Sequence, residues 1–436
     1  MTAIAARPTS VRWRIVLLLM ALCFISHFNR ISMAVAGDER IMNDYGIRPN
    51  EMGRVYFAFL LVYTIFMTAG GFFIDRFGVR KALAAVAVGS GFFAALTGLL
   101  GLAFTLATQF LVTLAIVRSA MGLVTTPLHP ACANAVSHWI PSNQRSSANG
   151  LITGAALFGV AFTYPLFGRM IDWFDWPLAF VIAGVATILL GVIWAWYAAD
   201  TPRQHPGTNE AERQLVSASP PDSAQTQSRG WLSLLTNPSL LWLTLGYAAI
   251  GYFQYLFFYW IHYYFESIRH FGKEQSRWYA AIPVITMGIC MPLGGWVSDQ
   301  MERRYGHAIG RKIVPMGSML MSAALLGLGL MTESAAAMVF WFSLSLGAVG
   351  AAEGPFWLTA VELGGRRGGS AAAVINTGGN GIGLLAPLLT PMISESLGWK
   401  WGISIGGLAC IVGGLCWWPI RIPKPATLTG STTEYA

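Results

Sequence analysis

Long apolar stretches alternate with short polar ones along nearly the whole chain. Runs of about 20 apolar residues, the length that crosses a hydrocarbon layer of roughly 30 Å, recur throughout. The runs are continuous rather than alternating, which favours helices over a barrel, because backbone groups in lipid must be satisfied within each segment. The pattern predicts twelve transmembrane helices, near 15–36, 53–74, 82–103, 107–138, 146–168, 177–198, 239–265, 278–298, 313–332, 336–360, 370–393 and 401–420.

A polar stretch separates these helices into two groups of six. Residues 200–229 are rich in Pro, Ser, Gln and charge, a composition that does not form a packed core. We therefore predict an all-α membrane protein with an N-terminal six-helix bundle over 1–199, a cytoplasmic linker over 200–236 and a C-terminal six-helix bundle over 237–436.

The charges indicate how the chain lies in the membrane. Only 11% of its residues are charged, against about 25% in soluble domains. With both termini placed in the cytoplasm, 18 of the 28 Lys and Arg residues lie on the cytoplasmic side, as the positive-inside rule requires. Topology thus explains the net charge of +8 without a nucleic-acid partner, and it predicts a multi-pass protein of the bacterial cytoplasmic (inner) membrane.

The sequence contains no signature of a metal site or of ATP hydrolysis. Its five cysteines fall within predicted spans and have no metal-binding spacing. No GxxxxGK[ST] loop occurs, so any energy must come from a gradient. We expect no metal, no cofactor and no nucleic acid, and a chain that acts as a monomer in the lipid bilayer.

The same short motif follows the second and the eighth predicted helix. The first copy, "GGFFIDRFGVRK", contains Asp75, Arg76 and Arg80, and the second, "GGWVSDQMERRYGHAIGRK", contains Asp299 and Arg311. A carboxylate at a helix end beside basic residues can bridge neighbouring helix ends and release them when they move apart. The motif therefore predicts a gate in each half, although ordinary cytoplasmic positive charge is the alternative reading.

These motifs resemble the major facilitator superfamily over essentially the whole chain. Within it, "FNRISMAVAG", "RSAMGLVTTPLHPACANAVSHWIP" and "NTGGNGIGLLAPLLTPMI" resemble the anion:cation symporter branch. The resemblance implies two bundles that open alternately to either side of a central site, and organic anions such as sugar acids as substrates. In similar permeases, carboxylates that carry or sense protons stand at the positions of Asn29 and Thr125, and both are missing here.

Two arginines fall within predicted spans, and Arg30 is the leading candidate for binding substrate. Placing an arginine at the centre of a membrane helix costs about 2.5–3.5 kcal/mol on insertion scales, so such a residue usually faces a cavity or a partner. A guanidinium binds a carboxylate through two parallel hydrogen bonds. We predict that Arg30 holds a substrate carboxylate; bonding to backbone carbonyls is the alternative. Arg118 matches an arginine of the resembling family and is expected to help bind the anion.

Hydroxyl and amide side chains are candidates for the rest of the site. Tyr63, Tyr255 and Tyr259 lie on helix faces that could line a cavity, although packing within the bundle is a serious alternative. Asn376 and Asn380 are four residues apart and share one stripe of the eleventh helix.

Proton coupling needs a group that titrates. Glu353 is the only acid inside a predicted helix of the second half, so it is the best carrier, with a purely structural role as the alternative. His129 is a second candidate because histidine changes charge between about pH 5 and 8.

The leading hypothesis is therefore proton-coupled uptake of a small organic anion, a carboxylate of the sugar-acid type. The alternatives are an organic-phosphate or anion exchanger, a uniporter without proton coupling, and transport of a neutral sugar. A membrane-embedded enzyme is remote, because the chain has no GxSxG, HExxH or paired-acid signature.

Overall fold

The computed structural model describes residues 7–103, 106–217 and 231–423. Its helices are α1 (Val11–Ala36), α2 (Pro49–Phe77), α3 (Val79–Ala103), α4 (Ala107–Thr125), α5 (Leu128–Trp139), α6 (Ser142–Tyr197), α7 (Glu210–Ser217), α8 (Pro238–Tyr263), α9 (Lys273–Tyr305), α10 (His307–Met331), α11 (Ala335–Gly364), α12 (Gly368–Gly383), α13 (Ala386–Leu397) and α14 (Trp399–Leu415). Single π-helical turns, Gly37–Ile41 and Tyr264–Ile268, extend α1 and α8.

The helices account for the twelve predicted crossings. Within the ranges that the structure describes, nine helical stretches are long and apolar enough to span a membrane, and the bent α2 makes a tenth. The 56-residue α6 forms two crossings, because Asp175 (φ 60°, ψ 162°) breaks it. The shorter apolar helix α14 is the last.

Two of the predicted spans are wrong in their internal structure. The span predicted at 107–138 consists of α4 and α5, and the span at 370–393 consists of α12 and α13. Pro127 and Pro387 lie at these breaks. Proline has no amide hydrogen to donate and its ring clashes with the preceding turn, so a continuous helix is disfavoured there.

The first part of the linker packs against the membrane helices, contrary to the sequence expectation. Glu212 of α7 is completely buried and accepts hydrogen bonds from the backbone nitrogen and Nη1 of Arg12 at 3.1 and 3.2 Å. His205 packs on the rings of Trp139 and Tyr197, and desolvation there lowers its pKa. This segment is therefore docked on the N-terminal helices, while residues 218–230 lie outside the described part.

Glycine allows α3 to pack closely on the second part of α6. A Cβ atom added at Gly184 would clash with the carbonyl oxygen of Gly91, and one at Gly91 would lie 2.6 Å from the carbonyl oxygen of Gly184. These are backbone atoms, which cannot rotate away as a flexible side chain can. The two helices thus meet backbone to backbone, as small residues permit in membranes.

Gly184→Val should therefore destabilise the N-terminal helices. Overpacking a tight contact costs about 1–3 kcal/mol, so we expect a lower unfolding temperature in detergent and less folded protein. Gly150→Val is the matched control, because a Cβ at Gly150 meets no atom within 4 Å. Equal unfolding temperatures for the two variants would contradict this packing.

The ends of the helices define two faces of the molecule. We call the side with the turns at Gly78 and Gly306 and the start of the linker the linker face, and the side with Gly46, Gly272 and Gly398 the distal face. Between the two halves, α6 contacts α9 towards the distal face, where Nη2 of Arg277 donates to the carbonyl oxygen of Gly168 at 2.8 Å. Nearer the linker face, Cβ atoms at Gly154 and Gly295 would meet nothing within 4 Å. The halves are thus in contact, and closed, at the distal face.

Candidate substrate site

Arg30 lies between the two halves, in the last third of α1. It is half-buried and faces a small cavity whose other lining residues come from α1, α2 and the α4–α5 region. These residues are Ser26, His27, Phe59, Tyr63, Thr125, Leu128 and His129. The cavity therefore combines one cation with aromatic rings, hydroxyls and two imidazoles.

Aromatic rings from both halves surround the guanidinium of Arg30. Its central carbon lies 5.5 Å from the ring centre of Phe59, 5.4 Å from that of Tyr63 and 4.9 Å from that of Tyr255. Its Nε donates to the hydroxyl of Tyr259 at 3.3 Å. The negative faces of the rings stabilise the cation without neutralising it, so its charge remains available to an anion.

The guanidinium of Arg30 keeps a hydrogen-bond donor without an acceptor. Its Nη2 is buried and has no partner, and Arg30 forms no ion pair in the described part of the chain. Nearly all buried donors in folded proteins are satisfied, so an orphaned charged donor beside a cavity needs an explanation. A carboxylate that enters the cavity would satisfy it.

Polar contacts extend the site into the C-terminal half. The hydroxyl of Tyr255 donates to Oδ1 of Asn380 at 2.5 Å. Nδ2 of Asn380 in turn donates to the carbonyl oxygen and the side-chain oxygen of Asn376, at 2.9 and 3.2 Å. The structure thus brings Arg30, Tyr63, Tyr255, Tyr259 and the two asparagines into one connected region.

Arg118 contacts the backbone of α1 next to Arg30. It is 2% exposed, and its Nη2 donates to the backbone carbonyl oxygens of Asn29 and Arg30 at 3.2 and 3.0 Å. Its Nη1 is buried and has no hydrogen-bond partner, so the prediction that Arg118 helps bind the anion stays a prediction.

Asn29 and Thr125, two of the coupling candidates, form hydrogen bonds within the N-terminal half. Asn29 is fully buried, and its Nδ2 donates to the hydroxyl of Thr187 at 2.7 Å, within the N-terminal helices. The Thr125 hydroxyl donates to carbonyl oxygens of its own helix, those of Met121 and Gly122. Neither side chain titrates, and a coupling role for either stays a prediction.

The other two coupling candidates, His129 and Glu353, have side chains that can titrate. The ring of His129 is exposed and lies 5.2 Å from that of His27, beside Arg30 in the cavity. Glu353 is half-buried on α11, and its carboxylate accepts from the Tyr247 hydroxyl and from Nε2 of Gln254, both at 2.8 Å. Within the described residues Glu353 forms no ion pair.

The predicted gate residues lie on the linker face. Asp75, Arg76 and Asp299 are exposed. The backbone nitrogen and Nε of Arg80 donate to Asp200 Oδ1 and to the carbonyl oxygen of Ala195, both at 2.8 Å. Arg311 pairs with Glu302 and Glu362 at 2.9 and 2.8 Å. Arg80 and Arg311 thus bond within their own halves, and the gating role of these residues stays a prediction.

Some residues around the site carry no distinct sequence signal. These residues are Phe59, Tyr247 and Gln254. The first follows Tyr56 and precedes Tyr63 at helical spacing, which is the one signal that could have placed it beside Arg30.

Comparison with known proteins establishes the family. A profile of the Major Facilitator Superfamily matches residues 19–384. The chain belongs to this superfamily. It is 29% identical over 427 residues to the probable galactarate/D-glucarate transporter GudP of Bacillus subtilis, covering 94% of this chain and 90% of that protein. It is 24% identical to the probable sulfoacetate transporter SauU of Cupriavidus necator, covering 86% and 85% of the two chains.

Solved structures of the superfamily share this fold. A bacterial homologue of the human lysosomal transporter Spinster, inward-facing and occupied, matches with a TM-score of 0.75 at 13% identity, covering 94% of this chain and 96% of that one. The inward-open xylose transporter XylE from E. coli matches with a TM-score of 0.71 at 14% identity, covering 95% and 97%. The protein is thus a multi-pass membrane transporter rather than an enzyme, and its sequence relatives are sugar-acid and anion permeases.

Proposed function

We propose that this superfamily member carries a small hydroxylated carboxylate of the sugar-acid class across the bacterial cytoplasmic membrane. Arg30 binds the carboxylate, while Tyr63, Tyr255, Tyr259, Asn376 and Asn380 contact the hydroxyl groups. The halves 1–199 and 237–436 rock about this site, with the linker face and both termini in the cytoplasm. Asp75, Arg76, Arg80, Asp299 and Arg311 gate the linker face.

The orphaned Nη2 of Arg30 is the observation on which this proposal depends. A guanidinium held by rings and one hydroxyl offers its remaining edge to a planar, bidentate acceptor, which a carboxylate provides. The neighbouring phenol and amide groups suit a polyol chain better than an apolar one. Relatives named for galactarate, glucarate and D-galactonate are consistent with this chemistry.

Organic phosphate is a weaker candidate. A dianion favours two opposed arginines, and the second arginine within the spans, Arg118, is bonded to backbone carbonyls. A neutral sugar would leave the charge of Arg30 without a counter-ion.

We further propose that uptake is coupled to protons. Glu353 is the carrier and His129 a secondary candidate, because both titrate and neither is paired with an ion in the described residues.

Counterflow in proteoliposomes tests the substrate class. Vesicles preloaded with one compound are offered labelled hexarates, hexonates, hexuronates, aromatic acids, phosphate esters and sugars. We expect rapid exchange with hydroxylated carboxylates, and little with sugars or phosphate esters. Failure of every carboxylate would reject the proposed function.

A further inference from the structure

A second group of ionisable side chains lies at the distal face, between the two halves and apart from the substrate site. It centres on His262, near the end of α8, which is 1% exposed. The charged groups around it come from the end of α1, from α6, from the turn after α8 and from α9. They are the acids Asp38, Glu39, Asp172, Glu266 and Glu274, and the cations Arg169, Lys273 and Arg277.

Both ring nitrogens of His262 face carboxylate oxygens. Nδ1 lies 3.3 Å from Oδ2 of Asp38. Nε2 lies 3.5 Å from Oε1 of Glu39 and 3.7 Å from Oε2 of Glu266. The ring of Tyr164 stacks on the imidazole at 5.8 Å, which fixes its plane. The histidine is thus held with acids at both ends of its ring.

A neutral His262 among ionised carboxylates has one hydrogen-bond donor too few. One more proton is needed so that both of its ring nitrogens face a hydrogen-bonding partner. A neutral imidazole has one N–H, so its other nitrogen is an acceptor, and an ionised carboxylate only accepts. Two acceptors facing each other in a buried place repel. An added proton, on the ring or on a facing carboxyl, turns this repulsion into a hydrogen bond.

The side chains around His262 carry more negative than positive charge, which favours binding of that proton. Five acids face three permanently cationic side chains. Arg277 uses Nε and Nη2 to bind both oxygens of Glu39, at 2.8 and 2.7 Å. Asp38 and Glu266 form no ion pair with Arg or Lys in the described part. His262 is therefore the group that can balance their negative charge. The nearby phenols, Tyr56, Tyr164 and Tyr263, ordinarily titrate near pH 10 and stay neutral.

The bonds that Glu39 already forms argue against a metal ion in this cluster. Glu39, His262 and Glu266 offer ligand atoms within 4.8 Å of one another. However, both oxygens of Glu39 are bonded to Arg277, and Lys273 lies 3.2 Å from one of them. A divalent cation would have to displace or approach these two positive charges, whereas a proton need not.

The cluster joins the two halves of the chain. Asp38 and Glu39 belong to the N-terminal half, and His262 and Glu266 belong to the C-terminal half. We propose that closing the distal face creates a proton-binding site, in which His262 and the carboxylates of Asp38 and Glu266 share one proton taken up from the distal side. This inference rests on the proposed alternating access, since it assigns the proton to one of the two conformations.

The site makes conformation depend on pH in a defined direction. Because the closed state binds the proton and the open state separates its ligands, acid on the distal side favours closure. One proton can change the closed-to-open ratio by at most about tenfold per pH unit. This proton returns to the distal side on opening, so the site regulates transport and is separate from the carrier assigned to Glu353.

Spin-label distances across the distal face test the proposal. Labels at Asn43→Cys and Ser334→Cys, both exposed and in opposite halves, report closure in protein whose native cysteines are replaced. In substrate-free protein the short-distance fraction should fall as the pH rises from about 5 to 8. His262→Gln should abolish this change. His270→Asn, which replaces an exposed histidine on the same face, should leave it intact.

Two results would overturn the proposal: a closed fraction that is independent of pH, or a pH response that survives His262→Gln unaltered. If His262→Gln does not fold, Glu266→Gln gives the answer, because loss of one carboxylate lowers the proton affinity of the closed state and should make the closed fraction depend less on pH. An unchanged response in that variant also contradicts the site. The spin-label experiment uses no substrate. Its outcome can therefore be interpreted even if no carboxylate exchanges in the counterflow experiment.

Discussion

Replacing Arg30 by Lys should lower the counterflow of sugar acids by roughly 10- to 100-fold, the equivalent of about 1.5–3 kcal/mol for hydrogen bonds to a charged group. An ammonium keeps the charge but loses the planar fork that binds two carboxylate oxygens. It also loses the flat surface that lies against Phe59, Tyr63 and Tyr255. Initial rates over a range of substrate concentrations would separate weaker binding from slower turnover.

The control for this variant is Arg169→Lys. Arg169 is exposed, pairs with Glu274 at 2.8 Å and is not among the residues that line the cavity. Exposed ion pairs contribute little, so its counterflow should stay close to that of the unmodified protein. Carboxylate exchange that is unchanged in Arg30→Lys would remove Arg30 from the substrate site.

Glu353→Gln should abolish accumulation driven by a pH gradient while leaving exchange intact. The amide keeps the shape of the side chain and can still contact Tyr247 and Gln254, but it cannot bind or release a proton. Exchange needs only the loaded carrier to reorient, whereas accumulation needs the proton to move with the cargo. Uptake into vesicles with and without an imposed pH gradient, compared with counterflow in the same preparation, measures both.

Glu333→Gln is the matched control, because this acid is exposed at the distal end of the tenth crossing. It should accumulate substrate like the unmodified protein. Persistent accumulation in Glu353→Gln would assign the carried proton to another group, with His129 the next to test.

The fold follows from the sequence more directly than its irregularities do. Twelve continuous apolar runs specify twelve crossings, since lipid leaves few alternatives to the helix. The break at Asp175 and the divisions of two spans near prolines depend on local backbone geometry. A hydropathy pattern over about 20 residues does not show such local breaks. The docking of Glu212 on Arg12 joins residues 200 positions apart, and hydropathy contains no information about it.

Part of the substrate site could also be predicted from the sequence. A cation in a membrane helix is a strong signal, so Arg30 could be singled out, and helical spacing gave the tyrosines and asparagines that the structure places beside it. The contact of Arg118 with the backbone of α1 could not be predicted, because Arg118 lies on α4 and the two helices are far apart in the sequence. The distal cluster joins residues as far apart as Glu39 and Arg277, so no local pattern announces it.

An experimental structure with a bound hexarate or hexonate would test the central claim most directly. We expect both oxygens of one carboxylate within hydrogen-bond distance of Arg30, with Nη2 as a donor, and the hydroxyls of the ligand facing Tyr255, Tyr259 and Asn380. A carboxylate bound elsewhere, or a bound state in which Arg30 is paired with an acid of the protein itself, would contradict the account.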